Sequence, residues 1–251
     1  MQKQKKLHRF FCPNINGATN LIFLSPKASH HAQNVLRLKE NSELIIFDGL
    51  GNQFKACIES LGKKLVEIRL ITTIDKNRES PLNITIGQAL TRMDKMDFTI
   101  QKTVELGVSK IIPLFTQKSN IKLSDNKFNK KMEHWHNLAC AACEQCGRSV
   151  VPSISKPINI KEWLNNLDNS NTSEKVRLIL DPTAKKTISS LPISQKNIIL
   201  LVGPESGFTE TEIAIAIDKG FFPANLGPRI LRAETAGIAA MSIIQSVWGD
   251  L

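Results

Sequence analysis

The run Ile198-Ile199-Leu200-Leu201-Val202, cut off by Gly203-Pro204, restricts the fold more tightly than any other stretch of the chain. An unbroken apolar run bounded by a turn signal fits a strand covered on both faces, and such strands belong to parallel sheets flanked by helices. Thr209 and Glu212 then stand in the spacing of a capping box, which predicts a helix that starts just after Thr209 and stops near Gly220. A second strand is predicted over residues 221–226, broken in turn by Gly227-Pro228. RILRAETA (229–236) then opens a helix rich in small residues: Ala236, Gly237, Ala239 and Ala240. In an open α/β sheet ligands lie beyond the carboxyl ends of the strands. Two Gly-Pro breaks at two such ends therefore predict one crevice lined by backbone N–H and C=O groups.

Upstream, the same alternation begins at Leu82. A strand is predicted over 84–90 and a helix over 94–106, with Met93, Met96, Ile100 and Val104 at helical spacing and Gly107 as its stop. Further strands are predicted over 111–115 and 176–180, the latter ending on Asp181-Pro182, a third candidate for the rim. Between them a long helix runs over 127–146 to Gly147. Strand and helix in alternation imply a parallel sheet with right-handed crossovers. Residues 1–75 read mainly as β, with strands over 44–47, 54–59 and 65–72 and a short helix over 31–38. The polar segment ending in Pro81 reads as a linker, dividing the chain into 1–75, a 76–81 linker and 82–251.

Charge points toward the partner. The 251 residues carry 33 Lys plus Arg against 23 Asp plus Glu, a net charge of +10, which favours a polyanion. No apolar run approaches the length of about 20 residues that crosses a bilayer, and MQKQKKLHRF lacks the apolar core of a signal peptide, so a cytoplasmic protein with no membrane association is expected. Cys140, Cys143 and Cys146 share one helical face, with His136 one turn earlier. Metal sites usually draw ligands from more than one element, and a free cysteine is more often a small buried hydrophobe, so no metal is expected.

GPESGFTETEI (203–213) and LGPRILRAETA (226–236) resemble the two C-terminal signature loops of the SPOUT methyltransferases, specifically the family that methylates N3 of a uridine in 16S ribosomal RNA. The segments 30–51, 95–119 and 141–149 match that family in the expected order. The resemblance implies a SPOUT-type parallel sheet with a C-terminal trefoil knot, preceded by a small PUA-like β-barrel that binds RNA, in a homodimer paired through the catalytic domain. It implies S-adenosyl-L-methionine as methyl donor and 16S ribosomal RNA, within the small ribosomal subunit, as partner. The positions matching the cofactor loops are Leu201, Gly203, Pro204, Glu205, Gly207, Leu226, Gly227, Ile230, Leu231, Thr235 and Ala236. Arg9, Arg37, Lys118 and Arg148 are the RNA-binding candidates. The sequence also places Lys3, Lys5, Lys6, Lys122 and Lys127 as basic residues that face either phosphate or solvent.

Uracil N3 is a poor nucleophile until its imide proton leaves, so the chemistry needs a proton route and positive charge near the developing imidate oxygens. Arg232 is the candidate for that charge. Glu234 either accepts the proton or braces Arg232 through an ion pair, and Thr235 is placed as a cap of the final helix. Two positions depart from the family pattern: Ser206 replaces a glycine, and Lys118 replaces an arginine. Another RNA substrate, transfer RNA or 23S ribosomal RNA, and a non-catalytic ribosome-assembly factor are the competing functions.

Overall fold

The computed structural model describes residues 7–13, 15, 20–119, 125–167 and 174–251, with the side chains of 125–128 outside that description. Lys3, Lys5, Lys6 and Lys122, and the side chain of Lys127, lie outside the described residues. The chain divides into two compact units, Met1–Glu79 with Cys140–Val151, and Ser80–Ala139 with Pro152–Leu251.

The first unit is built on strands β1 (His8–Phe11), β2 (Leu21–Phe23), β3 (Glu43–Phe47), β4 (Gln53–Leu61) and β5 (Val66–Thr73). They form one sheet in the order β1-β3-β4-β5-β2, antiparallel except for the β1–β3 pair. Its two end strands approach each other where Cys12 Sγ lies 3.9 Å from Phe23 O. Alternate side chains of a strand point to opposite faces, so one face gathers Leu44, Ile46, Ala56, Ile58, Val66 and Ile68 into a core with Phe10 and Leu24. The helix expected over 31–38 starts earlier, as α1 (Pro26–His30), and continues as a π turn over His31–Val35. Ser25 caps it by accepting from Ala28 N at 3.2 Å, and proline follows at the first helical position, where its missing N–H costs nothing.

The second unit holds β6 (Asn83–Ala89), α2 (Met93–Glu105), β7 (Lys110–Phe115), α3 (Asp125–Cys146), β8 (Ser153–Ile154), β9 (Ile158–Asn159), α4 (Ile160–Asn165), β10 (Lys175–Leu180), β11 (Asn197–Val202), α5 (Glu210–Asp218), β12 (Phe222–Ala224) and α6 (Ala233–Trp248). The last turns of α3 belong to the first unit. The sheet order is β12-β10-β11-β6-β7-β8, with β9 also beside β7, and every ladder is parallel. β11, the apolar run read from the sequence, is an interior strand. Leu200 and Leu201 point to opposite faces and both are fully buried, each contributing ~2 kcal/mol by leaving water.

Glycines show which helix covers which face. A Cβ on Gly87 would meet the Trp163 ring of α4 at 2.9 Å, and one on Gly237 of α6 would meet Gln88 Oε1 at 3.1 Å and Ile86 at 3.6 Å. Successive residues of β6 thus face α4 on one side and α6 on the other. α5 shares the α4 side through Ala216 beside Trp163 and Phe221. α2 packs with α6, burying Met96, Ile100 and Val104. Helices on both faces of a parallel sheet leave its carboxyl edge as the open rim.

Candidate functional site

The rim forms where β10, β11 and β12 end. Beyond β10 and β12 lies an open crevice of about 320 Å³, lined by Leu180, Asp181, Pro182, Ala224, Asn225, Leu226, Gly227, Arg229, Leu231 and Ala236. The predicted third rim segment, Asp181-Pro182, is part of the wall. Its shape is locked by local hydrogen bonds: Asp181 Oδ1 accepts from Thr183 N at 2.8 Å, while Asn225 Oδ1 accepts from Gly227 N at 2.9 Å and Asn225 Nδ2 donates to Ala184 O at 2.6 Å. Gly227 has φ of 104°, and a Cβ there would project into open space. The combination of apolar walls, backbone polar groups and a glycine-lined cradle suits a ligand with an adenine and a short polar chain, as in S-adenosylmethionine.

Of the predicted cofactor residues, Leu226, Gly227, Leu231 and Ala236 line this crevice. Gly203, Pro204, Glu205 and Gly207 form the neighbouring loop after β11, Leu201 is wholly buried in the sheet, and Ile230 is 85% exposed. Thr235 does not cap α6. It sits inside the first turn, and the cap position is Arg232, whose side chain makes no capping bond. Leu180, Asp181, Pro182, Ala224, Asn225 and Arg229 also line the crevice, of which Asp181-Pro182 carries a turn signal in the sequence and Arg229 lies in the 226–236 motif.

The loop after β11 is rigid by construction. Pro204 O accepts from Gly207 N at 2.9 Å, and the left-handed backbone conformation, φ of 70°, falls on Gly207 rather than on Ser206. Ser206 is therefore no obstacle to the turn. The expected capping box is present: Thr209 accepts from Glu212 N, and Glu212 Oε2 accepts from Thr209 N at 2.8 Å. Glu212 is fully buried, and its other oxygen accepts from Gln117 N at 2.8 Å.

Lys118, expected at RNA, instead spans to this loop and donates to Ser206 O at 3.2 Å and Phe208 O at 3.1 Å. An ammonium with tetrahedral donors can satisfy two loop carbonyls as readily as a guanidinium would.

Arg148 and Arg9, two other RNA candidates, make contacts within the first unit. Arg148 is buried in an ion pair with Glu79, its Nε and Nη2 each 2.8 Å from Glu79 Oε2. Glu79 Oε1 accepts from Ser149 N at 2.9 Å and Val150 N at 3.0 Å. Arg9 donates to Gln53 Oε1 and to Arg148 O, both at 2.9 Å, and lies 5.0 Å from the Phe47 ring centroid; burial lowers its pKa. Both guanidinium groups hold the first unit together. Arg37, with φ of 52°, remains exposed at the end of its helical segment.

The cysteines behave as buried hydrophobes. Burial pushes the thiols of Cys140 and Cys143 up to about 12, so both stay protonated. Glu144, one turn from Cys140, accepts from Phe11 N at 2.9 Å, and burial raises its pKa.

Arg232 and Glu234 lie at the start of α6, Arg232 exposed and Glu234 mostly buried. The cation beside Glu234 is Lys95 of α2, with Nζ 3.6 Å from Glu234 Oε1, so the predicted bracing of Arg232 by Glu234 is replaced by a lysine contact. Lys95 also hydrogen-bonds Glu205 Oε1. That bond holds the Lys95 ammonium above its ordinary pKa and the Glu205 carboxyl below its own. Lys95 lies within the 95–119 segment matched to the family, but its partners are 110 and 139 residues away in sequence, and nothing local signals them.

Residues 78–245 match the family described as the RNA methyltransferase domain, and residues 24–71 match the RNA methyltransferase PUA domain. Fold and sequence together therefore define a two-part RNA methyltransferase. A ribosomal RNA small subunit methyltransferase E of Buchnera aphidicola from Acyrthosiphon pisum is 38% identical over 99% of this chain and 96% of its own, and the Bacillus subtilis protein of that name is 32% identical over 86% of each. The chain belongs to the ribosomal RNA small subunit methyltransferase E family. Among solved structures, a Legionella pneumophila methyltransferase with bound SAM has a TM-score of 0.92 at 37% identity, covering 98% of this chain and 100% of that one. The Neisseria gonorrhoeae ribosomal RNA small subunit methyltransferase E, bound to S-adenosyl methionine, has a TM-score of 0.90 at 34% identity with the same coverage.

Proposed function

We propose that this chain transfers a methyl group from S-adenosylmethionine to N3 of a specific uridine in 16S ribosomal RNA of the small subunit. The carrying observation is the crevice at the carboxyl ends of β10 and β12, walled by residues of the LGPRILRAETA loop. Relatives at more than 30% identity, two of them solved with this cofactor, carry that name or fold.

When bound, the sulfonium supplies an already electrophilic methyl group, so this chain's task is positioning. Leu226, Gly227, Leu231 and Ala236 hold the ligand, with Leu201, Gly203, Pro204, Glu205, Gly207 and Ile230 supporting or bordering the same rim. Arg232, exposed at the mouth of α6, stabilises charge on the uracil oxygens. Residues 1–75 serve as the RNA-binding domain, with Arg37 as its phosphate-facing arginine, and residues 82–251 as the knotted catalytic domain. The active form is a homodimer, consistent with exposed Val247 and Leu251 at the chain's end, working in the cytoplasm where ribosomes assemble.

The test supplies labelled cofactor with assembled small subunits, free 16S RNA and transfer RNA, and maps the modified nucleotide in cells lacking the protein. Transfer to a 16S uridine that vanishes from the deletion strain supports the proposal. Transfer only to another RNA, or tight RNA binding without transfer, overturns it.

A further inference from the structure

Lys95, Glu205 and Glu234 come from three segments far apart in sequence and meet at one edge of the sheet. Lys95 lies in the first turn of α2, Glu205 in the loop after β11 and Glu234 in the first turn of α6. The convergence follows from topology: β6 and β11 are paired, with Gln88 opposite Val202, and α2 packs with α6. The Lys95 and Glu234 side chains are 20% and 13% exposed, whereas Glu205 is 57% exposed. One ammonium thus ties an outer carboxylate on the first signature loop to an inner carboxylate on the second.

The two oxygens of Glu234 are treated differently. Oε1 faces Lys95, whereas Oε2 is buried and has no hydrogen-bond partner among the described residues. A buried carboxylate oxygen left without a donor is unfavourable unless a ligand supplies one. The imide N–H of uracil is a donor of that kind.

Resting on the uridine-N3 reading above, we propose that Lys95 is a positioning residue that clamps Glu205 and Glu234 together, turning Glu234 Oε2 toward the target base as the acceptor of its N3 proton. The proton leaves N3 for Glu234 Oε2. The electron pair left on N3 forms the new N–CH3 bond as the S–CH3 bond breaks, its electrons remaining on the departing sulfide. Lys95 touches neither base nor methyl group and acts through the orientation of Glu234. Glu205, being exposed, anchors the ammonium from the solvent side.

The experiment compares wild type with Lys95→Met, Lys95→Arg and Glu205→Gln in the full chain on small subunits. Lys95→Met is expected to lower kcat about 100-fold, within the range of a lost acid–base contribution. Its KM for RNA and its cofactor Kd should change less than about 3-fold, because the clamp acts on the proton acceptor and not on uniform binding. Lys95→Arg should recover most of kcat, and Glu205→Gln should give a smaller loss in the same direction. Without cofactor, a glutamate-specific protease should cut after Glu205 faster in Lys95→Met, which reads the clamp independently of turnover. An unchanged kcat in Lys95→Met, a loss confined to KM or cofactor Kd, or no recovery by arginine would overturn the proposal. Should Lys95→Met fail to fold, full kcat in Glu205→Gln would overturn it. Inactivity of the wild type on every RNA would remove the methyltransferase reading and this inference with it, so the two failures are distinguishable.

Discussion

Glu79→Ala removes the acceptor for four hydrogen bonds: Nε and Nη2 of Arg148, and the backbone N–H groups of Ser149 and Val150. The Arg148 side chain is 6% exposed, so the substitution removes the Glu79 carboxylate from beside a buried guanidinium. Breaking a buried pair from one side costs about 3–5 kcal/mol, chiefly because the stranded charge cannot recover its hydration. In a cooperative unit of roughly 90 residues, each kcal/mol moves the thermal midpoint by about 4–8 °C, so a fall of at least ~12 °C is expected. Differential scanning calorimetry reads it directly. Arg148→Met in the same chain removes the stranded charge, and the double variant should regain part of the loss. Full recovery is not expected, because two backbone donors still lack an acceptor at about 1–3 kcal/mol each. A single-variant loss below ~1 kcal/mol, or a double variant no better than Glu79→Ala, would refute the assignment of this pair as a buried brace.

Ser206→Gly should leave cofactor Kd within about 2-fold by titration calorimetry, since the left-handed residue of the turn is Gly207, and should lower stability by only about 0.4–1 kcal/mol through the freer unfolded chain. Glu212→Ala removes the acceptor of the Thr209 and Gln117 N–H groups and should cost about 1–2 kcal/mol in chemical denaturation. Glu144 has its pKa raised by burial, so the fold favours its protonated form. Its contribution is full below the ordinary carboxylate pKa, about 4.3, and diminishes as pH rises through the folded value. Glu144→Gln, whose carbonyl can still accept from Phe11 N, should match wild type in acid and gain relative stability toward neutral pH, as followed by thermal melts across pH.

The elements that were legible in the sequence are those whose signals are local. The run at 198–202, the capping box at Thr209 and Glu212, and the glycines after α2, α3 and α5 place these elements within a residue or two. β1 and β2 escaped notice because strands of four and three residues carry too little alternation to stand out. The site divides in the same way. Leu226, Gly227, Leu231 and Ala236 lie in a contiguous motif, whereas the partners of Lys95, Lys118, Arg9 and Arg148 are set by tertiary contacts between distant segments. Each of those cations had the composition of an RNA contact or an unremarkable surface charge. Only packing shows that all four fasten the protein to itself.

The return of residues 140–151 to the first unit has a practical consequence for dissection. A fragment cut after Glu79 would lose the acceptor for Phe11 N, the carbonyl that receives Arg9 and the cation opposite Glu79, all supplied from beyond residue 139. The N-terminal segment is thus not a portable cassette. Expressing it alone, or grafting it onto another enzyme, requires carrying the tail of α3 along with it.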